Sequence, residues 1–303
     1  MGLISGQEKK GVILVLLSAV IWGAFPIAVS KGVEQIPPVT FAAISTLIAS
    51  LAGFFYAVAR NKLKEVKRTE AYKPLLMITV FTIIIPYILF FWGASMTSAT
   101  NATILLLSEI IFTALVTPLM GEKTSIYKIL GAAGVFFGAL FILYNGTLTL
   151  NTGDLIIIAS TMSYPIGNFY SKKALHAVDP SIIIFVRFLL GGACILLIAR
   201  LVEPSVDIAQ VLVDHWGLLL FNGVVLLGVT KVLWYEAFKR IDISKAISLA
   251  MTFPIFSLAI LMIWFDEIPT LYQCIGIVLM AVGVYFTIKR KSVDPAKTKY
   301  NTV

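Results

Sequence analysis

Apolar residues in this chain neither alternate nor recur as the stripe of a surface helix. They come in near-continuous runs of about twenty residues, parted by short polar or basic breaks. That is the length an α-helix needs to cross roughly 30 Å of hydrocarbon. The breaks delimit ten runs, at residues 11–30, 39–59, 75–94, 100–120, 125–144, 153–172, 181–199, 215–238, 246–264 and 270–288. The pattern predicts an all-α polytopic membrane protein with ten transmembrane helices. The first run is longer than a signal-peptide core, contains Trp22 and Pro26, and has no small-residue cleavage pattern after it, so a retained helix is expected.

The positions that interrupt the runs repeat along the chain. With residues 11–144 laid over 153–288, Ser18 falls on Ser160, Trp22 on Tyr164, Lys31 on Lys173 and Pro38 on Pro180, all 142 apart. After small slips, Glu122 meets Glu267, Tyr127 meets Tyr272, Gly131 meets Gly276 and Gly138 meets Gly283, all 145 apart. The chain reads as a duplicated five-helix unit followed by a basic tail, 289–303. Five is odd, so the second copy must enter the bilayer upside down. Inverted repeats of this kind are an architecture of alternating-access transporters, with the substrate site near the midplane between halves.

Composition narrows the picture. Of 303 residues 59% are apolar and 13% charged, with mean hydropathy +0.93, where a soluble domain carries roughly 25% charged residues. An ordinary water-soluble fold is excluded. The net charge of +8 would suggest nucleic acid on a soluble protein, but here the basic residues sit between apolar runs and report orientation, so no nucleic-acid partner is expected. With the N-terminus placed in the cytoplasm, 20 of the 24 Lys and Arg residues fall on that side and only Lys31 and Arg200 on the other, while Arg187 and Lys231 lie within spans. The positive-inside rule then puts both termini in the cytoplasm of a plasma-membrane protein. Cys194 and Cys274 show no disulfide or metal spacing and read as packing residues; no metal or cofactor is expected.

Several motifs carry a family resemblance. Trp22-Gly23-Ala24 in the first span, Gly121-Glu122 and Asp266-Glu267 before the fifth and tenth, and the glycine-spaced helix with Gly131, Gly134 and Gly138 resemble the EamA family of the drug/metabolite transporter superfamily. The likeness covers nearly the whole chain in two copies. It implies a ten-helix carrier, commonly an exporter of amino acids or other small metabolites, whose cavity is lined by the first, third and fourth helices and their paralogues. The sequence departs from the family pattern at two places. The Arg often found in the second span is Ser45, with Arg187 keeping it in the seventh; and Glu-Pro of the fourth span reads Glu109-Ile110, with Phe253-Pro254 in the other copy. Midplane charge is therefore expected to differ between the halves.

Candidate pathway residues follow from polar groups inside the runs. Ser160, Tyr164, Asn168 and Ser171 share one helical face in the sixth span, and Ser18, Trp22, Pro26 and Val29 repeat that register in the first. Pro26 and Pro165 free backbone carbonyls that a neighbour, water or ligand must satisfy. Tyr87 is a third-span candidate. Glu109, near the middle of the fourth span, costs on the order of 2.5–3.5 kcal/mol on insertion scales, which makes it the candidate for proton coupling or for holding an ammonium group. Asn101 and Ser108 lie on nearly one face and are expected beside it. Lys231, with Tyr235 one turn later, would suit a substrate carboxylate. Arg187, at similar depth, is expected to snorkel to the headgroups, and Glu236 to pair with Arg240. Glu122 and Glu267 are expected to favour helix N-termini. Gly134 and Gly138 permit close helix contact within a monomer or across a homodimer, and Pro86, Pro118 and Pro254 are expected bends.

Other classes lack their chemistry. There is no HExxH, no paired Asp-rich motif and no P-loop; His176 and His215 fall in or beside loops, and Ser95 has no intramembrane histidine partner. The expectation is a secondary carrier or facilitator, not an enzyme, whose partners are a small-molecule substrate, the lipid bilayer and candidate protons. Export of nucleobases, sugar derivatives or drugs is the alternative to amino-acid export.

Overall fold

In lipid a backbone must satisfy its own hydrogen bonds, so long apolar runs fold as helices. A computed structural model describes residues 6–116, 118–121, 126–143, 151–265 and 270–289, and apart from the short connecting segments Leu63–Lys67, Thr69–Ala71 and Ile208–Asp214 its described helical segments fall into ten runs, each overlapping one expected span. The first copy contains α1 (Gly6–Trp22, continued by Phe25–Gly32), α2 (Pro38–Ala59), α3 (Tyr72–Thr79, Val80–Ile84 and Ile85–Ala94), α4 (Ala99–Leu105 and Ser108–Val116) and α5 (Ile126–Leu143). The second contains α6 (Thr152–Thr161 and Tyr164–Ala177), α7 (Pro180–Val202), α8 (Trp216–Leu220, Phe221–Val229 and Thr230–Phe238), α9 (Ile243–Ala250 and Phe253–Phe265) and α10 (Leu271–Lys289). Among the described residues six stretches are long and apolar enough to span a membrane by themselves, including Pro38–Ala59, Pro180–Val202 and Trp216–Phe238. Phe55, Leu115, Leu197 and Ile263 are all more than 60% exposed, which fits a hydrocarbon solvent around the bundle.

Two helix pairs are straight and closely packed. α2 lies against α7 where a Cβ on Gly53 would meet the Phe185 backbone at 2.6 Å and one on Gly192 would meet Leu47 at 2.8 Å. α5 lies against α10 through Gly134 on Gly283 and Gly138 on Gly276 and Met280. In lipid such pairs associate through close packing of small residues, because burial in protein gains little over burial in lipid. Both pairs run antiparallel. On α5 and α10, Gly134 faces Gly283 while Gly138, further along, faces Gly276 and Met280. The last turn of α2 meets the start of α7 through Arg60 and Asp179 at 3.0 Å. At the other end Glu203, just after α7, accepts from the Val39 and Thr40 amides at 2.9 and 2.7 Å and from the Thr40 hydroxyl at 2.6 Å. That carboxylate satisfies N–H groups at an α2 start whose own N-cap, Pro37, offers no side-chain bond. Corresponding helices of the two copies thus point in opposite directions, as an inverted repeat requires.

The other three paralogous pairs are irregular. α1 turns at Gly23-Ala24, α6 at Met162-Ser163, α4 at Leu106-Leu107 and α9 at Met251-Thr252. α3 and α8 instead widen into π-helical turns at Val80–Ile84 and Phe221–Val229. Four of these irregularities lie a few residues before Pro26, Pro86, Pro165 or Pro254, whose rings cannot donate back to the preceding turn. Pro86 and Pro254 therefore accompany bends as expected, whereas Pro118 falls in the turn that follows α4.

Polar contacts gather at the two ends. At the basic end Glu8 of α1 and Lys245 of α9 form a buried pair at 2.7 Å, and Lys172 of α6 donates to the carbonyls of Phe238 and Ile241. At the far end Asp154, fully buried, accepts from Thr97 at 2.6 Å and from Asn101 at 3.4 Å, and closes a capping box with Asn151. Glu236 pairs with Arg240 at 3.0 Å, as its spacing predicts. Cys194 and Cys274 are exposed rather than packed in the core. Glu122, Glu267 and nearly all of the 289–303 tail lie outside the described residues.

Candidate functional site

The irregular helices α1, α3, α4, α6, α8 and α9 converge, together with the uninterrupted α7, on a cavity of about 700 Å³, counting its open mouth. Seven candidates from the sequence meet there: Ser18, Trp22, Tyr87, Glu109, Tyr164, Asn168 and Lys231. The helix breaks explain this gathering. Trp22, Glu109, Tyr164, Met251 and Phe253 all sit at or within three residues of a turn, where helix direction changes and side chains can point along the bundle axis rather than out of it.

Its chemistry is mixed. Glu109, 9% exposed, accepts from the Asn168 amide at 3.1 Å, joining the two copies across the cavity. The Lys231 ammonium lies 4.1 Å from the centre of the Trp22 ring and 5.8 Å from that of Trp234, a cation–π contact that partly replaces lost hydration. Ser18 of α1 donates to the Thr230 carbonyl at 3.2 Å, next to the wide turns of α8. Ser257 of α9 donates at 2.6 Å to the Gly23 carbonyl at the α1 turn. Backbone groups loosened by the irregular turns are thus met by hydroxyls of neighbouring helices.

Arg187 does not reach the headgroups. It is 3% exposed, lines the cavity, and donates to the Tyr235 hydroxyl at 2.8 Å and the Thr82 hydroxyl at 3.4 Å. Depth along the run suggested snorkelling. Thr82 of α3 and Tyr235 of α8 lie against this face of α7 and hold the guanidinium inside the bundle.

The remaining five candidates do not line the cavity. Pro26 is buried in helix packing. Asn101 belongs to the Asp154 cluster at the far end, because the α4 turn separates it from Glu109. Ser108 bonds Thr161 at 2.7 Å, and Ser160 its own helix at Ile157. Tyr235, fully buried, stands behind the cavity, between Arg187 and Ser171. Of the four-residue stripe on α6 only the middle members face the cavity: the turn at Met162-Ser163 sets Ser160 apart, and Ser171 is engaged by the Gly167 carbonyl and the Tyr235 hydroxyl. Sequence reasoning missed Thr82, Trp234, Met251 and Phe253. Trp234, three residues after Lys231, could have been found by helical spacing; the others depend on where the turns fall. Among the described residues no three His, Cys, Asp or Glu side chains converge as metal ligands.

The profile of the EamA-like transporter family matches residues 9–144 and 151–289. The chain belongs to this family. The two matched segments coincide with the two antiparallel copies. Among curated relatives of this EamA-like chain, an uncharacterised transporter of Bacillus subtilis (strain 168), YoaV, is 28% identical over 93% of this chain and 98% of its own. A probable amino-acid metabolite efflux pump of Escherichia coli (strain K12) is 23% identical over 93% of this chain and 96% of its own. A solved crystal structure 17% identical in sequence superposes with a TM-score of 0.76 over 92% of this chain and 96% of that one, a likeness of fold. The relatives named by function are transporters, and the chain is a multi-pass protein of the cell membrane.

Proposed function

We propose that this EamA-family protein is a secondary carrier that exports small metabolites, amino acids first among them, by alternating access. The observation that carries the reading is a charged cavity formed where the bent helices of both inverted copies meet Arg187 of α7, with α2 and the α5–α10 pair outside its lining. Rocking of the bent helices against the straight pairs would expose the same residues to one side and then the other. In this reading both termini are cytoplasmic, the basic end faces the cytoplasm, and the Glu8–Lys245 pair with Lys172 closes that side. Glu109 is the coupling residue: a carboxyl within the membrane, held by one neutral amide, can exchange a proton or bind an ammonium group. The amino-acid assignment draws on the named activity of the Escherichia coli relative.

The test is counterflow in proteoliposomes across a panel of amino acids, nucleobases, sugar derivatives and drugs, with and without a pH gradient. Saturable counterflow of an amino acid, accelerated by the gradient and uncoupled from it in Glu109→Gln, is the expected result. Counterflow of another class replaces the cargo, and unchanged pH dependence in Glu109→Gln removes the coupling role. Absence of counterflow for every solute refutes the carrier.

A further inference from the structure

The cavity has an imbalance that transport as such does not require. Two cations, Arg187 and Lys231, line it against one carboxylate, Glu109. Among the described residues no carboxylate oxygen lies within 4.0 Å of either cation; Glu109 attracts Lys231 at longer range, and its Oε1 is engaged by Asn168. The partners that Arg187 does have are neutral: the hydroxyls of Tyr235 and Thr82, and the ring faces of Phe188 and Tyr235 at 4.5 and 5.3 Å. Its Nε–H is buried and has no hydrogen-bond partner. The Lys231 ammonium makes no hydrogen bond to the described residues; it rests on the Trp22 ring.

A buried guanidinium stays charged, and a donor left unmade in a low-dielectric site is costly. An oxyanion in the cavity offsets that cost. A carboxylate is planar and accepts charge-assisted hydrogen bonds from a guanidinium and from an ammonium, the two cationic groups that line this cavity. We infer that Arg187 and Lys231 form a carboxylate site that the cargo must fill, so that the protein selects for the carboxylate and tolerates loss of the amino group. Organic acids without an ammonium group are then substrates or competitors, and amines without a carboxylate are not. The inference rests on the carrier reading for passage of the cargo but not for its binding.

Three probes with one apolar body test it on the full-length protein in detergent and in proteoliposomes: 3-phenylpropionate, L-phenylalanine and phenethylamine. Binding is read by tryptophan fluorescence, since Trp22 and Trp234 line the cavity. Both carboxylates should bind, with phenethylamine at least 10-fold weaker. Arg187→Lys should weaken 3-phenylpropionate about 10- to 100-fold, the effect of losing a charge-assisted bond, and Lys231→Gln should weaken it less. Phenethylamine binding as tightly as the acids, or no binding of any probe, overturns the inference. So does an Arg187→Lys protein that elutes like wild type and binds 3-phenylpropionate equally well. Phosphate or chloride quenching as strongly as 3-phenylpropionate overturns the assignment to the cargo and leaves a general anion site. Should Arg187 variants fail to fold, the wild-type ranking of the three probes still decides. Carboxylate binding without counterflow keeps this inference and refutes the carrier; amine counterflow without carboxylate binding does the reverse.

Discussion

Replacing Gly138 by alanine tests whether the glycine motif of α5 serves the monomer. The added Cβ would stand 2.6 Å from both the Gly276 carbonyl oxygen and the Met280 amide nitrogen and 3.0 Å from Met280 Cα, where ordinary contact begins at 3.4 Å. All three atoms are backbone, so no side chain can swing aside. The helices must separate by about 0.8 Å, and a gap of that size forfeits roughly a quarter to a half of each dispersion contact along the seam. Overpacking of this sort costs about 1–3 kcal/mol, which for a chain of 303 residues corresponds to a midpoint lower by roughly 2–5 °C. The assay is thermal unfolding of purified protein in detergent, followed by the monodisperse fraction on size exclusion. Gly217→Ala is the matched control, because nothing lies within 4 Å of its added Cβ. If Gly138→Ala melts with wild type and only an oligomer peak changes, the contact belongs between molecules and the monomer packing is refuted.

Two further outcomes follow from the same geometry. Ser257→Ala removes the donor that meets the Gly23 carbonyl, and should lower stability by about 0.5–1.5 kcal/mol in the same melt, whereas an unchanged midpoint would mean that water or a neighbour already serves the α1 turn. The basic end should weaken in acid. Burial raises the Asp179 carboxyl, but the Ser181 amide and hydroxyl, Lys239 and Arg60 outweigh it and hold the group below the usual carboxylate range. Glu65 is lowered in the same way, burial being outweighed by the Asp179 amide, Lys62 and Arg68. Both groups release protons more readily when folded, so their stabilisation is present above their ordinary values near 4 and is lost as pH falls through the lower folded values. Midpoints measured from pH 7 down to pH 3 should therefore fall more steeply for wild type than for Glu65→Gln combined with Asp179→Asn; parallel curves would show that these carboxylates do not anchor α7 to the α2–α3 loop.

Much of the architecture could be read from one dimension. Run length fixed the helix count, the offsets near 142–145 exposed the duplication, and the parity of five required the inversion that the antiparallel pairs display. Glu109, Lys231 and Trp22 stood out because charge and large polar rings inside apolar runs need a reason. The path taken by Arg187, the shelter of Asn101 in a different cluster, and the use of Gly138 inside the molecule depended on tertiary contacts. Lipid and protein interior are equally apolar, so hydropathy cannot tell a face that packs from a face that meets acyl chains. Nor does it locate the turn within a helix that redirects the residues beyond it. Those choices belong to shape: which backbones approach at glycine, where a turn tilts a segment, and which neighbour then closes the exit for a long side chain.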